Sequence, residues 1–165
     1  MPQLNRDQQH RIAVTLNGRE VSGFTEPRML LTDFLRQVLS TNSVHVGCEH
    51  GVCGACTVRV DGRAVRACLI FAVQAEGCQI DTAAGLTGAD GALNPLQAAF
   101  KRNHALQCGY CTPGILMSVT DFLERNPNPS EAEVEDMLSG HICRCTGYVG
   151  IMKAVMEVAA AGAAA

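Results

Sequence analysis

Cysteine is the residue whose number and spacing point most directly to chemistry in this sequence. The chain has nine cysteines in 165 residues, and eight of them fall into two groups of four. In the first group, Cys48, Cys53 and Cys56 follow the spacing C-x4-C-x2-C, and Cys68 comes after eleven further residues. This is the opening spacing of plant-type [2Fe–2S] ligation, because three thiolates on a short loop can wrap one side of a small cluster and a fourth can close it.

Glycines beside and between these cysteines favour the same interpretation. Gly47, Gly51 and Gly54 let the loop curl and direct amide N–H groups toward the sulfurs. Such hydrogen bonds offset the formal charge of about −2 on an oxidised cluster with four thiolates. A structural zinc site would favour two C-x2-C pairs, and this group has one. A Rieske site is excluded because no C-x2-H follows the C-E-H sequence at the first cysteine.

The second group comprises Cys108, Cys111, Cys143 and Cys145, in the segments QCGYCTPG and HICRCTGY. Both pairs precede predicted helices, whose N-termini lower the pKa of nearby thiols and stabilise an anionic cluster. By itself, a C-x2-C pair with a distant C-x-C pair is also compatible with zinc. No histidine follows the C-x2-C pair, which excludes c-type haem attachment, and no βαβ pattern supports a thioredoxin-like site.

Several other residues are candidates for a role at these sites. Cys78 is the unpaired ninth cysteine, and we predict that it is a small buried hydrophobic residue on a strand. Arg66 and Arg144 lie near predicted ligands, where they either offset cluster charge or remain solvated. Eight cysteines are enough for two clusters, so we expect surface, packing or interface roles for four of the histidines: His45, His50, His104 and His141.

The elements that must hold the first group form an α+β unit ending near residue 85. Residues 11–16 alternate apolar side chains before an Asn-Gly turn and a second run, which predicts a β-hairpin. Residues 27–39 carry an apolar stripe of helical period. Two short runs flank Asp61-Gly62 and predict a second hairpin, and residues 78–82 predict a final strand.

The elements that must hold the second group are all helical. A segment rich in glycine and small residues, 82–94, is typical of a linker. Four helices are predicted after it: 95–103 with Asn94 as N-cap, a helix from 112 to just before the NPNP segment, one opened by a Ser130/Glu133 capping box, and 148–159. We therefore predict a first domain over 10–86 and a second over 87–165.

Composition restricts the classes of partner and compartment. A net charge near −3 provides no basic surface for nucleic acid. No apolar run approaches the roughly 20 residues of a membrane helix. The polar segment MPQLNRDQQH lacks the apolar core of a signal peptide. Clustered thiols without a secretion signal favour metal binding in a reducing compartment, so we predict a cytoplasmic location.

Four segments together, CEHGVCGACTV, VDGRAVRACL, QCGYCTPG and CRCTGY, resemble the small iron–sulfur subunit of the xanthine oxidase family of molybdenum hydroxylases. The resemblance covers about residues 11–160. It implies a plant-ferredoxin-like β-grasp domain followed by a four-helix domain. It also implies that the first four cysteines hold an outer [2Fe–2S] cluster facing a flavin, and the second four an inner cluster beside a molybdopterin cofactor.

The same resemblance implies a function and partners. Gln107 and Cys145 are expected near the molybdopterin of a large subunit, and a medium subunit is expected to carry FAD, often in a dimer of heterotrimers. The chain would then be a non-catalytic electron-transfer subunit, and the alternatives are a free two-cluster ferredoxin or a zinc-binding interaction module. One departure is Ala84, where many relatives carry glutamate in a T-I-E-G-L-like segment. We expect this change to affect a partner contact rather than cluster ligation.

Overall fold

The N-terminal half of the chain forms one five-stranded sheet. The structure, a computed structural model, describes residues 4, 5 and 7–162. The strands are β1 His10–Leu16, β2 Arg19–Thr25, β3 Thr57–Val60, β4 Arg63–Arg66 and β5 Gln79–Asp81, in the spatial order β2-β1-β5-β3-β4. Strand β5 runs parallel to β1 and antiparallel to β3. This mixed sheet gives the expected β-grasp arrangement.

Both predicted hairpins are confirmed, and their turns explain their register. Asn17 and Gly18 have φ values of 48° and 79°, and Asp61 and Gly62 have 48° and 80°. Two successive residues with positive φ form the tight turn whose twist matches that of the flanking strands. Strand β1 therefore pairs with β2, and β3 with β4, over their full lengths.

The helix predicted over 27–39 is shorter than expected. Helix α1 covers Leu31–Asp33 and continues as a π-helical turn over Phe34–Val38. Its start was predicted wrongly because Leu30 is extended, with ψ of 148°, and forms a β-bridge with Phe71. The middle of the apolar stripe is buried, since Leu31, Phe34 and Leu35 are inaccessible to solvent in the core of the sheet half. Val38, at its end, is exposed.

The C-terminal half contains four helices: α2 Pro95–Arg102, α3 Thr112–Arg125, α4 Glu131–Ser139 and α5 Tyr148–Gly162. The predicted caps are confirmed. Asn94 accepts a hydrogen bond from the Gln97 amide at 2.8 Å, and Ser130 accepts one from the Glu133 amide at 3.3 Å. In each case the side chain of the glutamine or glutamate also accepts a hydrogen bond from the backbone amide of the cap residue, as a capping box requires.

Each half has its own hydrophobic core. Phe34, Val58 and Ile80 belong to the core of the sheet half, and Phe100 and Ile115 to that of the helical half. Ala83 packs with the helical core, although it precedes the predicted boundary at residue 86. Within residues 7–162, none of the helices combines the length and apolar character needed to cross a bilayer.

The two halves meet along α3. Gly114, in its first turn, faces the Gly54 carbonyl so closely that a Cβ there would overlap it, and the Ala55 carbonyl would lie 3.0 Å away. Farther along the helix, Glu124 forms a two-pronged ion pair with Arg59 of β3, with N–O distances of 2.9 and 2.5 Å. These contacts fix the helical half against β3, the strand that follows Cys56.

Candidate iron–sulfur sites

The first cysteine group lies on the loop before β3 and just after β4. The Cys53 amide donates a hydrogen bond to Cys48 Sγ at 3.4 Å. A Cβ on Gly47 would lie 2.9 Å from Cys53 Sγ, so glycine leaves the space that the sulfur occupies. Gly54 has a φ of 76°, which an L side chain rarely adopts. Glycine therefore allows the tight backbone conformation of this loop, in which the Cys53 amide faces the Cys48 sulfur.

The second cysteine group is assembled from two distant segments. Cys111 directly precedes α3, and Cys143 lies on the loop before α5, where its Sγ accepts a hydrogen bond from the Gly147 amide at 3.4 Å. The Tyr148 hydroxyl accepts a hydrogen bond from the Cys143 amide at 2.8 Å and donates one to the His141 carbonyl at 2.9 Å. A side chain at the start of α5 thus closes this loop.

Within each group the thiols lie near one another. Four pairs are close enough for one thiol to affect the pKa of the other: Cys48 with Cys53, Cys56 with Cys68, Cys108 with Cys145, and Cys111 with Cys143. In the described part of the chain, no three cysteine, histidine, aspartate or glutamate side chains are close enough together to hold a single metal ion. Two thiolates for each of two irons is the ligand distribution of a [2Fe–2S] cluster.

Burial and backbone hydrogen bonds give the thiols different acidities. The Cys53 and His50 amides lower the pKa of Cys48 to about 6. The Tyr110 amide likewise lowers the pKa of the exposed Cys108. Burial, together with a thiol neighbour, raises the pKa of Cys68 to about 11 and that of Cys111 to about 12. Metal ligation requires thiolates, so the buried members of each group must release protons when iron binds.

The two cysteine groups lie side by side. The Ile142 amide, next to Cys143, donates a hydrogen bond to the Cys53 carbonyl at 3.0 Å. A cavity of about 160 Å³ lies between the groups. Its lining includes cysteines of both groups, namely Cys53, Cys108, Cys111 and Cys143. A backbone hydrogen bond therefore joins the two sites. It connects Cys53, a predicted ligand of the first site, to Ile142, which is the neighbour of the predicted ligand Cys143 of the second.

Tyr110 forms a second bridge between the groups. The His45 ring stacks on the Tyr110 ring with centroids 4.7 Å apart, and His45 Nδ1 lies 2.7 Å from the Tyr110 carbonyl. The Tyr110 hydroxyl donates a hydrogen bond to the Val46 carbonyl at 2.6 Å. His45 therefore has the interface role expected for it, joining the segment before Cys48 to the residue before Cys111.

The predicted pterin-facing residues contact each other. Gln107 Nε2 donates a hydrogen bond to the Cys145 carbonyl at 2.9 Å, and Gln107 is exposed. His141 is 2% exposed, with Nε2 at 2.8 Å from Ser118 Oγ. Burial, and then the nearby Arg66, lower the pKa of His141 to about 4. It is a packing residue, as expected, and it lies between the two halves.

One residue lies elsewhere than predicted, and another was not predicted at all. Cys78 is half-buried and directly precedes β5, so the prediction of a buried strand residue was wrong. The Tyr148 hydroxyl was not predicted to hold the second site, although its place in CRCTGY, three residues after Cys145, was a signal available in the sequence.

Comparisons with known proteins show which family the chain belongs to. A model of a 2Fe-2S iron–sulfur cluster binding domain matches residues 13–101, and one of a [2Fe-2S] binding domain matches residues 82–156. The chain is 53% identical to the nicotine 6-hydroxylase small subunit of Paenarthrobacter nicotinovorans over 88% of this chain and 87% of that one. It is 47% identical to the caffeine dehydrogenase subunit gamma of Pseudomonas sp. strain CBB1, over 90% of both chains.

Solved structures extend the match to the whole fold. Quinoline 2-oxidoreductase from Pseudomonas putida 86 contains a chain with a TM-score of 0.90 and 48% identity, covering 95% of this chain and 98% of that one. The aldehyde oxidoreductase from Desulfovibrio desulfuricans ATCC 27774 gives a TM-score of 0.85 at 42% identity, and the match occupies 17% of that longer chain. The chain therefore belongs to the xanthine oxidase family of molybdenum hydroxylases, as an electron-transferring [2Fe–2S] small subunit of such an oxidoreductase.

Proposed function

We propose that this chain relays electrons between an inner and an outer [2Fe–2S] cluster held by the two cysteine groups. Cys48, Cys53, Cys56 and Cys68 would hold the outer cluster, and Cys108, Cys111, Cys143 and Cys145 the inner one. Each cluster, when bound, accepts and returns one electron at a time. The pairing of the thiols and the amides directed at Cys48 and Cys143 support this ligand assignment.

The observation that carries the proposal is the direct contact between the two sites. The Ile142 amide bonded to the Cys53 carbonyl fixes the separation of the two groups through the backbone. Gly114, packed on Gly54, holds α3 and therefore Cys111 against the same loop. The chain's own contribution is thus to hold the two sites at a short, constant distance and to surround their buried thiols with protein rather than water.

We further propose which partners flank the relay. The exposed Gln107, bonded to Cys145, would face the molybdopterin of a large subunit, and the loop carrying Cys48 would face the FAD of a medium subunit. Apolar residues exposed beside the second site favour a permanent partner: Ile142 is 51% exposed and Val149 is 71% exposed. A dimer of heterotrimers in the cytoplasm is the proposed assembly. The domains proposed are 10–86 and 87–165.

A free two-cluster ferredoxin is the second candidate, since it would use the same two sites. Gel filtration of the chain alone and with co-expressed large and medium subunits separates the two. A stable complex containing all three chains supports the subunit function. A chain that stays monomeric in the presence of both partners would identify a diffusing carrier.

Metal and sulfide analysis tests the ligand assignment. The holoprotein should contain about four irons per chain, two for each cluster. Cys53→Ala and Cys111→Ala should each lose about half of the iron and one of two electron paramagnetic resonance (EPR) signals, and the two variants should lose different signals. Cys78→Ala is the matched control and should keep all of the iron. Zinc in place of iron, or loss of the same signal in both variants, would contradict the assignment.

A further inference from the structure

Arg66 is a cation held between the two cysteine groups. It is the last residue of β4, two residues before Cys68. Its Nη1 donates a hydrogen bond to Thr57 Oγ1, and its Nη2 donates one to the Gly140 carbonyl at 2.6 Å. Thr57 directly follows Cys56, and Gly140 comes three residues before Cys143. One guanidinium group therefore contacts a neighbour of each site.

The position of this guanidinium is fixed by its partners. Thr57 is 3% exposed, and its hydroxyl donates to the Gly54 carbonyl at 2.7 Å, which leaves its oxygen free to accept from Arg66. The planar fork of arginine can satisfy two acceptors at once, as it does here with Thr57 and Gly140. Arg66 is thus an ordered part of the junction between the two halves.

No carboxylate pairs with Arg66 in the part of the chain that the structure describes. The ion pairs between side chains there involve other arginines. The side chain is only partly exposed, so water and salt screen its charge less than that of a surface residue. Arg144, the other arginine beside predicted ligands, is exposed and therefore better screened.

Two adjacent anionic clusters would repel each other and resist reduction. Each carries a formal charge of about −2 when oxidised and gains a further negative charge on reduction. We propose that Arg66 is a shared positioning residue whose positive charge stabilises the reduced state of both clusters and offsets their repulsion. This inference rests on the ligand assignment under the proposed function. Arg66 belongs to the sheet half, and by this proposal it also affects the reduction of the cluster held by the helical half.

The test compares variants of the full-length chain, isolated with its clusters, by redox titration monitored by EPR. Arg66→Gln keeps hydrogen-bonding capacity and removes the charge. It should lower both midpoint potentials, with a change of about tenfold in the ratio of reduced to oxidised cluster at a fixed potential. Arg63→Gln is the matched control, because Arg63 lies on the same strand and is exposed. It should leave both midpoints unchanged.

Arg66→Lys separates the charge from the structural contact. Lysine keeps the positive charge but lacks the fork. It should therefore leave both midpoints close to those of the wild type while lowering the thermal unfolding midpoint. If Arg66→Gln does not retain iron, Arg66→Lys still allows the charge effect to be contradicted. A lysine variant with four irons and both midpoints lowered would overturn the charge effect.

Three results bear on Arg66 alone. Unchanged midpoints in an iron-replete Arg66→Gln variant would overturn the inference, and a shift confined to one cluster would overturn the shared role. Lower midpoints for both clusters would support it. Failure of the proposed function gives a different result, because a wild-type chain with zinc or with a single EPR signal would show no pair of midpoints to compare.

Discussion

The two cysteine sites of this chain are built in different ways. The first depends on a continuous loop, in which glycines allow three closely spaced cysteines to turn their sulfurs inward. The second joins the start of α3 to the loop before α5, and Tyr148 and Gln107 hold that loop through hydrogen bonds to Cys143 and Cys145. The first site therefore depends on local backbone geometry and one hairpin, and the second on contacts between distant segments.

Iron removal should have the largest effect and should distinguish the halves. Metal binding and folding are coupled in small domains closed around a metal, so circular dichroism should show a marked loss of structure. We expect hydrogen–deuterium exchange to rise more in α3, α4 and α5 than in the β1–β2 hairpin, whose pairing needs no cysteine. A native-like apo spectrum, or equal loss of protection in both halves, would contradict this difference.

Gly114→Ala should destabilise the contact that joins the two sites. A Cβ at Gly114 would overlap the Gly54 carbonyl, and backbone overlap is relieved only by moving α3 or the first cysteine loop. We expect a loss of about 3 kcal/mol in the free energy of unfolding, measured with chemical denaturant. Gly162→Ala is the control, because a Cβ on this helical glycine meets nothing within 4 Å. Equal stability of the two variants would show that the halves do not depend on this contact.

Tyr148→Phe should weaken the second site and spare the first. It removes the hydroxyl that pairs with the Cys143 amide and the His141 carbonyl. We expect a cost of about 1–3 kcal/mol and a change in one EPR signal only, since a backbone donor and acceptor lose their partner. Tyr110→Phe, which loses a single bond from an exposed side chain to the Val46 carbonyl, should cost less. A larger effect for Tyr110→Phe would reverse the roles assigned to the two tyrosines.

The ion pair between Arg59 and Glu124 should contribute the least. Arg59 is 14% exposed and Glu124 is 53% exposed, so water screens one side of the pair. A double-mutant cycle to alanine should give a coupling energy of about 0.5–1 kcal/mol that decreases with added salt. The pair formed by Arg28 and Glu26 is more exposed and should give a coupling near zero. Similar coupling energies for the two pairs would mean that the Arg59–Glu124 pair contributes no more to stability than an ordinary surface ion pair.

Local sequence signals predicted most of the elements. These signals act over a few residues, so they can be recognised without knowledge of the fold. They are the Asn-Gly and Asp-Gly turns, the Asn94 and Ser130 caps and the apolar periods. The start of α1 was not predictable in this way, because Leu30 is held extended by a bridge to Phe71, forty-one residues later. Long-range pairing overrode a local helical pattern there.

By itself, the sequence predicted a donor set for each site, because ligand chemistry depends on residue type and on spacing along the chain. It also determined the order of a sheet half before a helical half. Only the tertiary structure decided that the Cys53 carbonyl meets the Ile142 amide, that Arg66 reaches Gly140, and that Tyr148 closes the second site. These contacts join residues distant in the chain or depend on how a loop is folded, and side-chain type and local spacing carry no information about such distances.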